Sequence, residues 1–245
     1  MNALYPAEAK KIDVISHLEE LRRRILYCIA ILLCVTVITF IHGNFLMDLV
    51  KRPSAAIIDE LIFISPTEAF SSFLKTAFLA AFIVSFPFIL YQIWAFLAPA
   101  FDRGMKKRVA LWLLLSLFLF FTGILFSYLV IIPAALNFLL NFNSGIASAR
   151  ITLGKYVSFI GALILAGGLT FEIPVVIGLS VDCDIIRTDI LKRKRHLAFL
   201  AILIFAAVIT PTQDIVNMLL FAFPMMLLFE AGIIIGSFLE NRKKI

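Results

Sequence analysis

The chain has 245 residues, of which 62% are apolar and only 16% charged, with a mean hydropathy of +1.04 and a net charge of +6. Soluble domains carry about 45–50% apolar and about 25% charged residues, and a globule needs polar cover over its surface. The composition therefore excludes a soluble globule, a disordered chain, a collagen-like fibre, a disulfide-framed secreted domain and a DNA-binding domain, and it implies a chain solvated mainly by lipid.

Taken in order, the first feature is an amphipathic helix over Asp13–Arg24. Val14, Leu18, Leu21 and Ile25 form one apolar stripe,. Ser16 and Glu19 have capping-box spacing, and Glu20 can pair with Arg24 at i, i+4,. The first apolar run follows directly, flanked by arginines and without a small-residue cleavage site, so it reads as an uncleaved anchor rather than a signal peptide,.

A helix needs about 20 apolar residues to cross the ~30 Å hydrocarbon layer. The runs 25–41, 76–98, 109–132, 156–181, 197–209 and 215–237 give six expected transmembrane spans, the fifth marginal. Continuous apolarity excludes β-barrel strands, which alternate. The expected fold is an all-α membrane protein of one domain, residues 1–245, with a cytoplasmic N-terminal segment 1–24 and tail 238–245.

Orientation follows from Lys and Arg. Seventeen lie on the face shared by the N-terminus, the loops after spans 2 and 4, and the tail; only five (Lys51, Arg52, Lys75, Arg150, Lys155) lie on the other. Both termini are therefore expected in the cytoplasm. Topology accounts for the basic charge without nucleic acid, and attraction to anionic lipid is a secondary use of it.

Between spans 1 and 2, the partly apolar stretch from His42 to Ser65, punctuated by Pro53, reads as short helices on the outer membrane surface,. Ser65-Pro66-Thr67-Glu68 then has the form of a capping box with Pro at the first helical position,. A helix from there to Pro99 is about 50 Å long, overshoots the bilayer, and is open to a kink at Pro87,. It ends in the aromatic run Tyr91-Gln92-Ile93-Trp94-Ala95-Phe96, which fits an interfacial belt. After span 3, Pro133 to Ile151 is expected to pack beside the outer helices.

Glu172 falls near mid-membrane in span 4, where a carboxylate costs a few kcal/mol by insertion scales unless neutral, paired or wetted,. Two readings fit: a protonated glutamate bonded to a neighbouring helix beside a Pro174 kink, or a polar site facing a cavity. Span 5 covers only about 20 Å, and Thr210 to Asp214 turns the chain straight back, with Asp214 placed to cap span 6,. In that hairpin Glu230 should lie level with Lys194–His196. The short pair implies mismatch absorbed by snorkelling, or a thin spot in the bilayer. No inverted repeat is visible. Cys28, Cys34 and Cys183 have no metal or redox spacing, three scattered histidines make no site, and no hydrolase, zincin, dinucleotide or P-loop motif occurs,.

The ordered set His17-Leu18-Glu19-Glu20-Leu21-Arg22 with Arg24, Ser65-Pro66-Thr67-Glu68-Ala69-Phe70, Pro87, Tyr91-Gln92-x-Trp94-x-Phe96-x-x-Pro99, Phe171-Glu172-x-Pro174, Thr210-Pro211-x-x-Asp214 and Phe229-Glu230-x-Gly232 resembles the TatC family. That family supplies the core membrane subunit of the twin-arginine protein translocase, and the resemblance covers nearly the whole chain. It implies a concave, cupped-hand arrangement and a receptor for twin-arginine signal peptides of folded cargo. It also implies single-span TatA/TatB-type partners, oligomers, export driven by the proton-motive force, and a multi-pass place in the plasma (inner) membrane.

By the same resemblance Glu20 is the recognition glutamate, assisted by Glu19, and Phe96 the loop aromatic. Arg22 and Arg24 orient the carboxylate, and Glu172 is the intramembrane glutamate. Pro53, Pro87, Pro99, Asp214 and Glu230 are structural or partner-contact positions. No cofactor, metal or enzyme activity is implied. Two positions depart from the pattern: Met105 stands where a second glutamate is usual, with Asp102 the nearest carboxylate, and Gln213 stands where a proline is common. A proton-coupled small-solute transporter built on Glu172 is the alternative class.

Overall fold

The computed structural model describes residues 6–55, 57–58, 60–97, 106–141, 150–209 and 215–243, and every described element is a helix or a short turn. Pro99, Asp102, Met105, Gln213 and Asp214 lie outside the described residues.

The chain opens with α1, Pro6–Ile41. It runs unbroken through the expected amphipathic segment into the first span, so the Ser16/Glu19 spacing does not mark a helix start. The short α2 (Gly43–Lys51) and a 3-10 turn, Arg52–Ser54, which holds Pro53, follow; the short helices expected from His42 to Ser65 thus end at Ser54, and the described residues from there to Ser65 are not helical. α3 is Pro66–Leu97, 32 residues and about 48 Å long,. It starts at Pro66, where the Ser65-Pro66-Thr67-Glu68 pattern predicts it, ten residues before the apolar run begins at Thr76. Pro87 sits inside it, removing the donor for the Ile83 carbonyl,.

α4 (Lys106–Phe126) passes through one π-turn, Ser127–Ile131, into α5 (Ile132–Asn141). The expected third span thus continues helically past Ile132. α6 (Leu153–Thr170) and α7 (Ile173–Asp182) are two helices where one span was expected, separated by a turn at Phe171–Glu172. Pro174 explains the break, since it has no N–H to give the Thr170 carbonyl. α8 (Thr188–Arg193) is a short connector, α9 (Arg195–Ile209) has 15 residues, and α10 (Ile215–Lys243) has 29.

Among the described residues, five stretches are long and apolar enough to cross a membrane: His17–Ile41, Pro66–Leu97, Ala110–Asn141, Leu153–Asp182 and Ile215–Arg242. The sixth, Arg195–Val208, is apolar but short, at the place where a marginal span was expected. Large apolar side chains such as Leu33, Val37, Leu114, Phe118, Phe223 and Ile234 are exposed around the outside, as lipid solvation requires.

α1 packs along α3, α3 and α4 pack on α6, and α7 packs on α10, which also pairs with α9. One core runs from α2 and α5 through α6 to α9 and α10, around Tyr156, Ile160 and Leu163. A second joins α3, α4 and α7 around Phe86, Trp94, Trp112 and Phe120, with the Phe86 and Phe120 rings stacked at 3.4 Å between centroids. The small residues Gly123 and Ser127 meet Gly167 where α4 crosses α6, so close that a Cβ on Gly123 would fall 2.5 Å from the Gly167 carbonyl oxygen. Ser127 donates to the Leu163 carbonyl at 2.8 Å there.

The start of α1, the ends of α3 and α7, the starts of α4 and α9 and the end of α10 share one end of the molecule, here termed the basic end. α2, the 3-10 turn, α5 and the start of α6 close the opposite end. Tyr156 donates to Val50 O (2.8 Å), and Tyr128 donates to Leu49 O (2.7 Å). Ile62 and Thr152 make a single parallel bridge. α5 packs against the 3-10 turn, as expected for the segment after Pro133.

Candidate functional site

At the basic end, helical spacing places His17, Glu20 and Arg24 on one face of α1, and Gln92, Ala95 and Phe96 on one face of α3. The two faces meet. Arg24 is the connector: Nε donates to Glu20 Oε1 at 3.0 Å and Nη2 donates to the same oxygen at 2.5 Å. Nη1 donates to Gln92 Oε1 at 3.0 Å, and Nη2 also donates to the Ala95 carbonyl at 3.1 Å. A planar fork with five donors suits this task. His17 stacks on Phe96, with ring centroids 4.4 Å apart and planes at 20°.

The carboxylate of Glu20 is thus held from one side. Its Oε1 is taken by Arg24, while among the described residues Oε2 has only His17 Nδ1 nearby, at 4.0 Å. Glu20 retains 25% side-chain exposure and Arg24 22%, so the junction is only partly covered. Glu19 and Arg22 are exposed and stand outside this junction. So do Leu18 and Ile25, at 59% and 49% exposed; the side of α1 turned to α3 carries Glu20, Leu21 and Arg24, all half-buried. The structure therefore brings together Glu20, Arg24 and Phe96, and adds His17 and Gln92 as their supports.

Glu172 is the residue before α7, in the break between α6 and α7. Its Oε2 accepts from Ser116 Oγ of α4 at 2.6 Å, and its Oε1 is shut away from solvent with no partner. Thr170 Oγ1 is a second buried oxygen without a partner in this break. Polar groups of this kind are costly in a membrane interior and gather where function or local bending needs them.

Three further polar ties hold the ends. Glu230 Oε2 accepts from Arg195 Nη2 at 2.8 Å, which puts Glu230 at the depth expected from the hairpin. Asp182, with 1% of its side chain exposed, accepts from Arg108 Nη1 at 2.8 Å and from the Trp112 indole at 3.2 Å. These partners are 74 and 70 residues away, so no local spacing announces them. At the opposite end Ser65 Oγ accepts from the Glu68 N–H at 3.3 Å, as a cap should. The Glu68 carboxylate in turn reaches back to the Ser65 backbone N–H, as the capping box predicts, and extends further. It accepts from Ile64 N at 2.9 Å and from Gly154 N at 2.8 Å, joining the starts of α3 and α6.

The family model for the Sec-independent protein translocase protein (TatC) matches residues 16–224. The TatC of Carboxydothermus hydrogenoformans is 34% identical over 236 residues, covering 96% of this chain and 97% of its own. The TatC of Escherichia coli is 33% identical over 228 residues, covering 92% and 88%. A crystal structure titled as the twin-arginine translocase receptor TatC superposes with a TM-score of 0.81 at 32% identity, covering 91% of this chain and 99% of the other. A second, of TatC in the detergent DDM, gives 0.82 at 33% identity, covering 90% and 99%.

Proposed function

This chain belongs to the TatC family of Sec-independent protein translocase components, and from that premise we propose that it is the translocase's receptor for twin-arginine signal peptides. The observation that carries the reading is the half-engaged Glu20 carboxylate: Arg24 fixes one oxygen and the other is left for a guest. A guanidinium binds a fixed carboxylate oxygen more specifically than an ammonium does, through planar, charge-assisted hydrogen bonds. The stacked His17–Phe96 pair beside it offers a ring face of the kind on which a guanidinium stacks,.

Glu19, Glu20, Arg22, Arg23 and Arg24 sum to a charge of +1 on this part of α1. Net attraction therefore does not recruit a basic peptide; geometry must. In this reading the first guanidinium of the motif takes Glu20 Oε2. The second takes Asp102, which substitutes for the glutamate missing at Met105, or Glu19 on the exposed side of α1. Arg22 tunes the same surface. The apolar body of the peptide then follows a groove between spans, and Glu172 is the polar point it meets. Single-span TatA/TatB-type subunits join the loaded receptor for export driven by the proton-motive force. Both termini are cytoplasmic, and the membrane is the plasma (inner) membrane.

The test is photo-crosslinking from positions 96 and 102 to a twin-arginine peptide and to its twin-lysine counterpart, in the native background and in Glu20→Lys. The expected result is strong labelling by the twin-arginine peptide only, lost in Glu20→Lys at an unchanged membrane level of the protein. Equal labelling by both peptides, or full labelling in Glu20→Lys, overturns the reading.

A further inference from the structure

A cavity of ≈ 990 Å³ opens at the end opposite the Glu20 junction, between the start of α3, the end of α5 and the start of α6. That volume lies at the upper end of the range for ligand pockets. Its lining is of two kinds. Leu139, Leu140 and Phe159 are apolar, while Lys75 and Lys155 with Ser158 are cationic and hydroxyl-bearing.

The charge balance of this cavity is open. Lys75 Nζ donates to Ser158 Oγ at 2.9 Å, which uses one of its three donors,. Among the described residues neither Lys75 nor Lys155 has a carboxylate within ion-pair distance. Glu68, the one carboxylate among the described residues that line the cavity, is committed through both oxygens to the backbone N–H groups of Ile64 and Gly154.

The depth is also informative. Tyr91, 56% exposed near the basic end of α3, is a side chain of the kind that sits at a membrane interface,. From Tyr91 to Lys75 the helix rises about 24 Å. A ~30 Å hydrocarbon layer measured from Tyr91 therefore ends a few Å beyond Lys75, within the reach of a snorkelling lysine. The anions available at that level are lipid phosphates. Lysine at this end also runs against the charge distribution of the chain, where 17 of 22 basic residues lie at the other end.

We propose that this cavity binds one anionic glycerophospholipid of the adjacent leaflet, its phosphate between Lys75 and Lys155 and its acyl chain along Leu139, Leu140 and Phe159. Apolar length and anionic head belong to one molecule, which a free phosphate cannot supply. The site is independent of the signal-peptide reading, since it lies at the other end of the molecule and shares no residue with it.

The experiment is native mass spectrometry of the full chain released from nanodiscs holding equal phosphatidylglycerol and phosphatidylcholine. With about 1 kcal/mol per lysine near a phosphate, two lysines give a preference of at least tenfold for retaining one phosphatidylglycerol. Lys75→Gln with Lys155→Gln brings the two lipids to parity, while Lys51→Gln, at the same end but outside the cavity, keeps the preference. Excess inorganic phosphate does not displace the lipid, and the short-chain dihexanoyl form is not retained. No preference in the native chain, an undiminished preference in the double variant, displacement by inorganic phosphate, or equal retention of the short-chain lipid each overturns the proposal. The native-chain comparison holds even where a variant fails to assemble.

Discussion

Gly167→Ala is the sharpest test of how the Glu172 position is built. A Cβ on Gly167 would stand 2.1 Å from Ser127 Oγ, 2.7 Å from Ser127 Cβ and 2.8 Å from the Gly123 carbonyl oxygen. The hydroxyl can rotate away, at the loss of its bond to the Leu163 carbonyl, but a backbone oxygen cannot. Reaching a contact of about 3.4 Å with that oxygen requires α4 and α6 to part by about 0.6 Å, and gaps of 0.5–1 Å already forfeit a quarter to a half of each dispersion contact along the crossing. Overpacking typically costs about 1–3 kcal/mol, and the backbone clash places Gly167→Ala in the upper half of that range.

At about 2–4 °C per kcal/mol for a chain of this size, the melting temperature in detergent should fall by roughly 4–12 °C. The same parting separates Ser116 on α4 from Glu172 beyond α6, so export should fall together with stability. Ser127→Ala added to Gly167→Ala removes the 2.1 Å contact but not the 2.8 Å one, and should restore only part of the loss. A melting temperature within about 1 °C of the native chain, or full rescue by Ser127→Ala, refutes the argument that backbone approach sets this crossing.

Asp182→Ala leaves the buried Trp112 indole N–H without this acceptor and should cost about 1–3 kcal/mol, read as a lower melting temperature, with Asp182→Asn closer to native. Arg195→Gln removes a half-exposed ion pair with Glu230, worth at most about 1 kcal/mol, so its melting temperature should stay within a few degrees; a larger fall means that the pair is buried by a partner. Arg24→Lys keeps the charge but gives up the fork that reaches Gln92 and Ala95. Spin labels on Leu18 and Ile93 should then show a broadened distance distribution between α1 and α3, and an unchanged one discounts the Arg24 staple. Glu68→Gln retains only one acceptor oxygen for two backbone donors, so deuterium uptake at the start of α6 should quicken; native uptake there argues against the Glu68 tie.

Much of the fold is legible in the sequence because its signals are local. Apolar run lengths mark the five long crossing helices and the short sixth. Pro174 marks the break before α7, and the tight turn after α9 sets Glu230 level with Arg195 by simple counting. The candidate site is legible only in part. The Glu20–Arg24 pair follows from i, i+4 spacing, but Gln92 and the Ala95 carbonyl are 68 and 71 residues from Arg24, and no periodicity reports such contacts. The apolar stripe of α1 is split, with Leu21 half-buried and Leu18 and Ile25 exposed, for a physical reason: in lipid, apolar residues face outward as readily as inward, so amphipathicity does not identify the packed side. The π-turn at Ser127–Ile131 and the Gly123–Gly167 approach depend on the fit of two helices, which a single sequence does not display.

The break at Phe171–Glu172 has a mechanical meaning. An unbroken helix is a stiff strut, because each hydrogen-bonded turn shares an axial load with the next. Here the strut is cut into two lengths, one seated chiefly on α3 and α4, the other chiefly on α10. The coupling between them is a pivot spanned by few backbone bonds and by the Ser116–Glu172 tether. Along the chain, a push on the α7–α10 pair therefore reaches α6 only through a compliant joint, and it is the side-chain ties of α7 to α4, Asp182 with Arg108 and Trp112, that brace the angle of that joint.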